Sequence, residues 1–231
     1  MWSTIIPELM TSTVWVLTFL CIRAGTEPGY FQGYAVMSIN TAGLKQYKPS
    51  PLYDVYNIYM STVCAGDYVN ASLNSPLTNF TCTAPSSYSK FNLRNKSIPN
   101  PPLNEPSNFP VVIQDKFLDY NLRLHVAWIF YVLSIVWTGL AVLFGITALF
   151  KGAIGAFMIL FTFPASFCLF ISSVIVSVVQ QDGVGFINDA ANGEISASST
   201  GGLLALTWSA FALSLVSNPV WLASAASRST E

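Results

Sequence analysis

The residues of this sequence whose types and spacing invite covalent chemistry fall in one polar stretch. They are the triplets Asn70-Ala71-Ser72, Asn79-Phe80-Thr81 and Asn95-Lys96-Ser97, with Cys64 and Cys82 in the same region. An Asn-x-Ser/Thr triplet can accept an N-linked glycan at Asn70, Asn79 or Asn95. A cysteine pair forms a stable bridge only in an oxidising compartment. Both chemistries therefore place this stretch in a lumenal or extracellular space, with Cys64 and Cys82 as the expected disulfide. Closing a loop of about 18 residues is worth on the order of 3 kcal/mol in the chain-entropy model. Cys21 and Cys168 lie in apolar runs instead and read as packing residues.

Catalytic sets are missing. His125 is the single histidine, so neither a His-based triad nor a His-rich metal site can be assembled. Asp182, Asp189 and Glu194 form an acidic stretch without a basic residue, but they lack the alternating spacing of a calcium loop. They read as a solvated turn able to make electrostatic contacts with the basic first loop. The expectation is no enzyme activity, no catalytic or metal residues, no cofactor and no nucleic-acid partner.

The elements that must position these residues are set by where charge is absent. Residues 126–180 carry only Lys151, and residues 195–227 carry no charge, in a chain that is 52% hydrophobic and 9% charged. Roughly 20 mostly apolar residues cross a bilayer as a helix. Spans are predicted at 1–23, 125–150, 153–180 and 202–224, joined by an extracellular loop at 24–124, a tight turn at Lys151-Gly152 and a second extracellular loop at 181–201. The tail at 225–231 and the N-terminus are expected in the cytosol. The first segment reads as a retained helix, because no Lys or Arg leads it and Ile22-Arg23-Ala24 is a poor cleavage site. Eight of the ten lysines and arginines lie between residues 23 and 124. A loop of that length translocates largely regardless of its charge, while Lys151 and Arg228 obey the positive-inside bias.

Within the spans, Glu8 is expected near an interface, as are His125, Trp128 and Trp221. Small residues at helical spacing, Ala165, Ser166, Ser173 and Ser177 on the third span and Ala205, Ser209, Ala212 and Ser217 on the fourth, are expected to pack the bundle. Pro164 should kink the third span. In the long loop, the β-branched and aromatic run over residues 53–60 reads as a short strand, and residues 111–113 as another. The fold class is thus all-α transmembrane: a four-helix bundle with a small, disulfide-bonded, partly β extracellular cap.

The segment after the first span carries Ala24-Gly25, Pro28-Gly29-Tyr30, Tyr34-Ala35-Val36 and Ile39-Asn40-Thr41, followed by Tyr56, Tyr59, Cys64, Gly66 and Cys82. In this it resembles the fungal four-span family that includes the cortical-patch (eisosome) and PalI pH-response proteins. The resemblance implies Gly25, Pro28, Gly29, Asn40, Thr41 and Gly66 as motif residues. It departs at Ala42, which removes a sequon often found there, and in a tail of about eight residues where PalI-type members carry a long cytosolic extension. The layout is also similar to that of claudins, without their Trp and Gly-Leu-Trp signature.

The resulting expectation is a non-catalytic glycoprotein of the plasma membrane that organises a cortical, eisosome-like domain linked to the cell wall and endocytosis. Its expected partners are membrane lipids, including sterol or sphingolipid, other membrane proteins or further copies of itself, and a cell-wall polymer. The alternative is a regulatory subunit of a channel, calcium-uptake or pH-signalling complex.

Overall fold

The computed structural model describes residues 2–27, 31–45, 53–68, 77–85, 111–150, 157–190 and 195–228. Its helices are α1 (Trp2–Arg23), the short α2 (Ala42–Lys45), α3 (Val111–Phe150), α4 (Ile159–Ala190) and α5 (Gly201–Arg228). Its strands are β1 (Met37–Asn40), β2 (Val55–Ile58), β3 (Val63–Tyr68), β4 (Leu77–Cys82) and β5 (Ser196–Ser198). Four helices are long and apolar enough to cross a membrane, over Thr4–Arg23, Asp119–Thr147, Ile159–Ala190 and Gly201–Ser227. The architecture is a four-helix transmembrane bundle with a small disulfide-bonded sheet unit.

The chain divides into two compact units. The first, the bundle, comprises residues 1–22, 127–174 and 205–231. Lipid tails are as apolar as leucine, so burying large hydrophobic side chains gives bundle helices no reason to associate; close approach of small residues and interhelical hydrogen bonds must do it. The buried positions follow that requirement. On α5 they are Thr207, Ala210, Ser214, Ser217, Trp221 and Ser224; Met158 just before α4 and Thr162, Ala165, Leu169 and Ser172 on it continue the pattern. On α3 they are Ala127, Tyr131, Ser134, Thr138, Ala141 and Gly145, and on α1 Thr4, Thr11, Val14, Thr18 and Cys21. Steps of three and four alternate, a repeat of 3.5 residues, which is the repeat used when ridges of one helix fill the grooves of another in a left-handed pair. The large side chains point the other way, as with Leu143, Leu160, Phe163, Phe167 and Leu215, each more than half exposed. An inside-out distribution of this kind fits a hydrocarbon solvent.

Hydroxyls in the seam avoid the cost of burying an unpaired polar group by two routes. Several bond to their own helix, as Thr11 to the Pro7 carbonyl (2.8 Å), Thr18 to Val14 (2.7 Å) and Thr138 to Ser134 (2.7 Å). Others cross between helices. Thr162 donates to the Asn218 side-chain oxygen at 2.6 Å, Asn218 Nδ2 donates to Ser166 at 3.0 Å, and the Ser166 and Ser214 hydroxyls share a hydrogen bond at 2.6 Å. These four residues clamp α4 to α5. Trp221 Nε1 donates to Thr11 at 3.2 Å, tying α5 to α1, and Ser134 reaches the Ala165 carbonyl at 3.4 Å, tying α3 to α4.

Several expectations change. Trp221 is fully buried rather than interfacial, because its indole N–H has a partner on α1. Ala165, Ser166 and Ser173 are buried as expected, but Ala205, Ser209 and Ala212 face outward. Ser217 is buried as expected, and the packing face of α5 that it shares carries Thr207, Ala210 and Ser214. Glu8 is buried rather than interfacial: it lies against Gly145, whose missing side chain leaves it room, and its Oε2 has no hydrogen-bond partner. Residues 111–113 open α3 instead of forming a strand, and α4, with Pro164 inside it, continues to Ala190 rather than ending at 180. The Lys151-Gly152 turn lies outside the described residues.

Replacing Asn218 with Leu removes two interhelical hydrogen bonds at about 0.6 kcal/mol each, so the bundle should lose about 1 kcal/mol. Reversible unfolding in mild detergent measures this. Full stability in Asn218→Leu would mean that the clamp is dispensable.

Candidate functional site: the disulfide-bonded cap

The second compact unit comprises residues 23–126 and 175–204. Its centre is an antiparallel five-stranded sheet in the order β4-β3-β2-β1-β5. β2 and β3 form a hairpin whose turn, Tyr59-Met60-Ser61-Thr62, is buried throughout, unlike most hairpin tips. The reason is Gly25. Its carbonyl accepts a hydrogen bond from the Thr62 hydroxyl at 2.7 Å, and the Cys64 sulfur lies 3.4 Å from the same oxygen. The Tyr59 ring packs where a side chain at position 25 would project. Gly25 also has φ of +72°, a left-handed conformation that costs other residues energy. Gly25 thus meets two demands that only glycine satisfies together.

Cys64 and Cys82 are directly opposed in the β3–β4 register and are joined as a disulfide. Cys64 is fully buried in a cluster with Ala24, Ala35 and Tyr59, flanked by Phe31, Tyr34, Phe80 and Cys82. Cys21 and Cys168 are free and buried. Gly66 pairs with Val55 beside the register shift between Ala65 and Asp67, where the absence of a side chain eases the irregularity.

The remaining motif residues shape turns. Asn40 ends β1, and its side-chain oxygen accepts from the Ala42 amide at 2.9 Å, the hydrogen bond of an Asx turn. Thr41 is fully buried; its hydroxyl donates to the Tyr53 carbonyl and its amide to the Asp54 carbonyl at 2.8 Å. Asp54 in turn accepts from the Tyr68 amide at 2.9 Å, and the Asp54 amide reaches Asp67 at 3.3 Å. This chain of contacts fixes β1, β2 and β3 at one end. Asn79 lies in β4. Asn70, Asn95, Pro28 and Gly29 lie outside the described residues.

The sequence reading missed β5. Residues 181–201 were expected to form a loop, yet Ser196–Ser198 pairs with β1 and completes the sheet. Asn188 on α4 grips it from both sides, donating to the Ala197 carbonyl at 3.0 Å and accepting from the Ala197 amide at 2.7 Å. Thr200 donates to the Ala35 carbonyl, and Gln180 to the Thr200 carbonyl at 3.3 Å. The expected electrostatic contact takes the form of Arg123 3.7 Å from Asp182, with Asp119 at 2.8 Å. Half-exposed ion pairs of this kind contribute little.

Among the described residues, no three His, Cys, Asp or Glu side chains gather where a metal could bind. What the site supplies is a rigid, covalently closed surface.

The family is decided by a comparison over almost the whole length: residues 3–218 match the model of the SUR7/PalI family. The chain belongs to the SUR7/PalI family. No curated protein and no solved structure gave a match. Gly25, Cys64 and Cys82 meet at one point beside the sheet, where the Gly25 carbonyl, the Thr62 hydroxyl and the disulfide come together.

Two predictions concern that point. Adding a methyl group at Gly25 meets both the Tyr59 ring and an unfavourable φ, so Gly25→Ala should cost on the order of 1–3 kcal/mol. A lowered thermal midpoint in detergent checks this. Burial, ahead of all other causes, also pushes the Tyr56 and Tyr59 phenols up to about 12. An unfolded tyrosine titrates near 10, so between roughly pH 10 and 12 the unfolded chain has lost protons that the folded cap retains. Stability is unaffected below that window and falls as pH rises through it. Tyrosinate absorbance should therefore rise together with unfolding, and Tyr59→Phe should move the onset upward.

Proposed function

We propose that this SUR7/PalI-family membrane protein is a non-catalytic organiser of a plasma-membrane domain, with the cap outside the cell and both termini in the cytosol. The observation that carries the reading is the make-up of the bundle. Its seam is built largely from small and hydroxyl-bearing residues, several of which spend their hydrogen bonds in joining one helix to the next. Among the described residues, Glu8 is the only acidic or basic side chain buried there. Ion and proton pathways rely on chains of such groups. A packed bundle with an aromatic outer face and a closed cap suits lateral association with lipids and proteins better than transport. Sterol or sphingolipid, further copies of the chain and a wall polymer are the proposed partners of these two surfaces.

The disulfide supports the outward placement of the cap, since a buried bridge of this kind persists in oxidising compartments. Membership of the SUR7/PalI family supports the eisosome-like form of this role.

Fluorescence recovery after photobleaching of the full-length protein, tagged at its C-terminus in fungal cells, tests the role. Discrete cortical patches with little recovery are expected. A diffuse, freely recovering signal would overturn the organiser role and favour a regulatory subunit of a channel, calcium-uptake or pH-signalling complex.

A further inference from the structure

We propose that Asn79 is a conditional glycosylation site, modified only while the cap is open and closed to the transferase once the Cys64–Cys82 bridge has formed. The inference rests on the lumenal placement of the cap proposed above. The acceptor triplet Asn79-Phe80-Thr81 and Cys82 are consecutive residues of one strand. In the folded cap that strand is pinned on both flanks of the triplet. Leu77 and Thr78 pair with Tyr68 and Asp67, while Thr81 and Cys82 pair with Ala65 and Cys64. Phe80, the central residue of the triplet, packs against the cluster of Ala24, Ala35, Tyr59 and Cys64. The Thr81 hydroxyl is sealed from solvent.

That hydroxyl is what makes the triplet an acceptor, because the transferase must engage the Ser or Thr two residues after the asparagine. Transfer joins Asn79 Nδ2 to the anomeric carbon of a sugar, breaking that carbon's bond to a polyprenyl diphosphate carrier. The amide gives up a proton and the diphosphate leaves. Bridge closure consumes the same segment by different chemistry. The two thiols lose two protons and two electrons to a disulfide-bearing oxidant, through a mixed disulfide. Closure fixes Cys82 beside Cys64 and holds β4 on β3, which hides Thr81. Each molecule therefore carries its glycan at Asn79 or not according to which reaction came first.

The test is site-resolved glycopeptide mass spectrometry of the full-length protein made in a secretory host. It compares wild type, Cys64→Ser, and wild type synthesised during a brief exposure to a membrane-permeant thiol reductant, with Asn70 and Asn95 as references. The wild type is expected to be a mixture at Asn79, and both the variant and the reductant should shift most molecules to the glycosylated form. The reductant arm needs no substitution, so an effect on folding peculiar to Cys64→Ser cannot mimic the result. Asn79 occupancy that stays the same in all arms, with Asn70 or Asn95 modified, would overturn the competition alone. An absence of glycan at all three asparagines would overturn the lumenal placement, and the competition with it.

Discussion

Helices dissolved in hydrocarbon gain nothing by hiding leucine, because the lipid solvates leucine as well as a neighbouring helix does. Everything in the bundle unit follows from that constraint. Side chains that earn a place in the seam either let backbones come close or form a hydrogen bond that lipid cannot replace. Thr162, Ser166, Ser214 and Asn218 do both. Gly145 accommodates a carboxyl group for which a larger residue would leave no space. Many large apolar side chains are left to the surface, where Phe163 and Phe167 are well exposed, while Trp221, Tyr131 and Leu169 stay in the seam.

The cap obeys the opposite rule, since water surrounds it and a core must be hidden. A few short strands bury little apolar area, and small sheets are marginal without reinforcement. Reinforcement comes in three forms that converge near Gly25: a covalent bridge, an aromatic ring packed where a side chain is absent, and a hydrogen bond from the Thr62 hydroxyl to the Gly25 carbonyl. The β2–β3 turn and the β3–β4 bridge are thereby referred to one backbone position. Asn188 supplies the same service at the far edge, satisfying both backbone groups of Ala197 with one amide.

Much of this was legible in the sequence. The spans follow from length and lack of charge, and the disulfide from two cysteines in a sequon-bearing loop. The β2 strand follows from the aromatic and β-branched run around Tyr56. β5 was not legible, because Ser-Ala-Ser has little strand propensity and three residues are too few for their alternation to signal a strand; its pairing is imposed by Asn188 and β1. The face of α5 was also misread. Small residues occur all round that helix, and only the partners Thr11 and Ser166 distinguish Ser214 and Trp221 from Ala205 and Ser209. Trp221 was assigned by residue type to an interface, yet a hydrogen bond to a neighbouring helix outweighs that tendency. The start of α3 was missed since residues 111–113 are β-branched in isolation, while the helix they open is long.

The last strand of the sheet arrives late. β1 ends at Asn40, whereas its partner β5 begins at Ser196, so the two meet only after nearly the whole chain has been made. Contacts of such separation are slow to form and leave an unpaired strand edge meanwhile. Until then β1 exposes its backbone on one side, a surface that chaperones can bind and that misassembled copies can share. Completion of the sheet thereby waits until α4, the third membrane segment, and the strand that follows it have been made. Built this way, the cap couples a local folding event to the topology of the entire polypeptide.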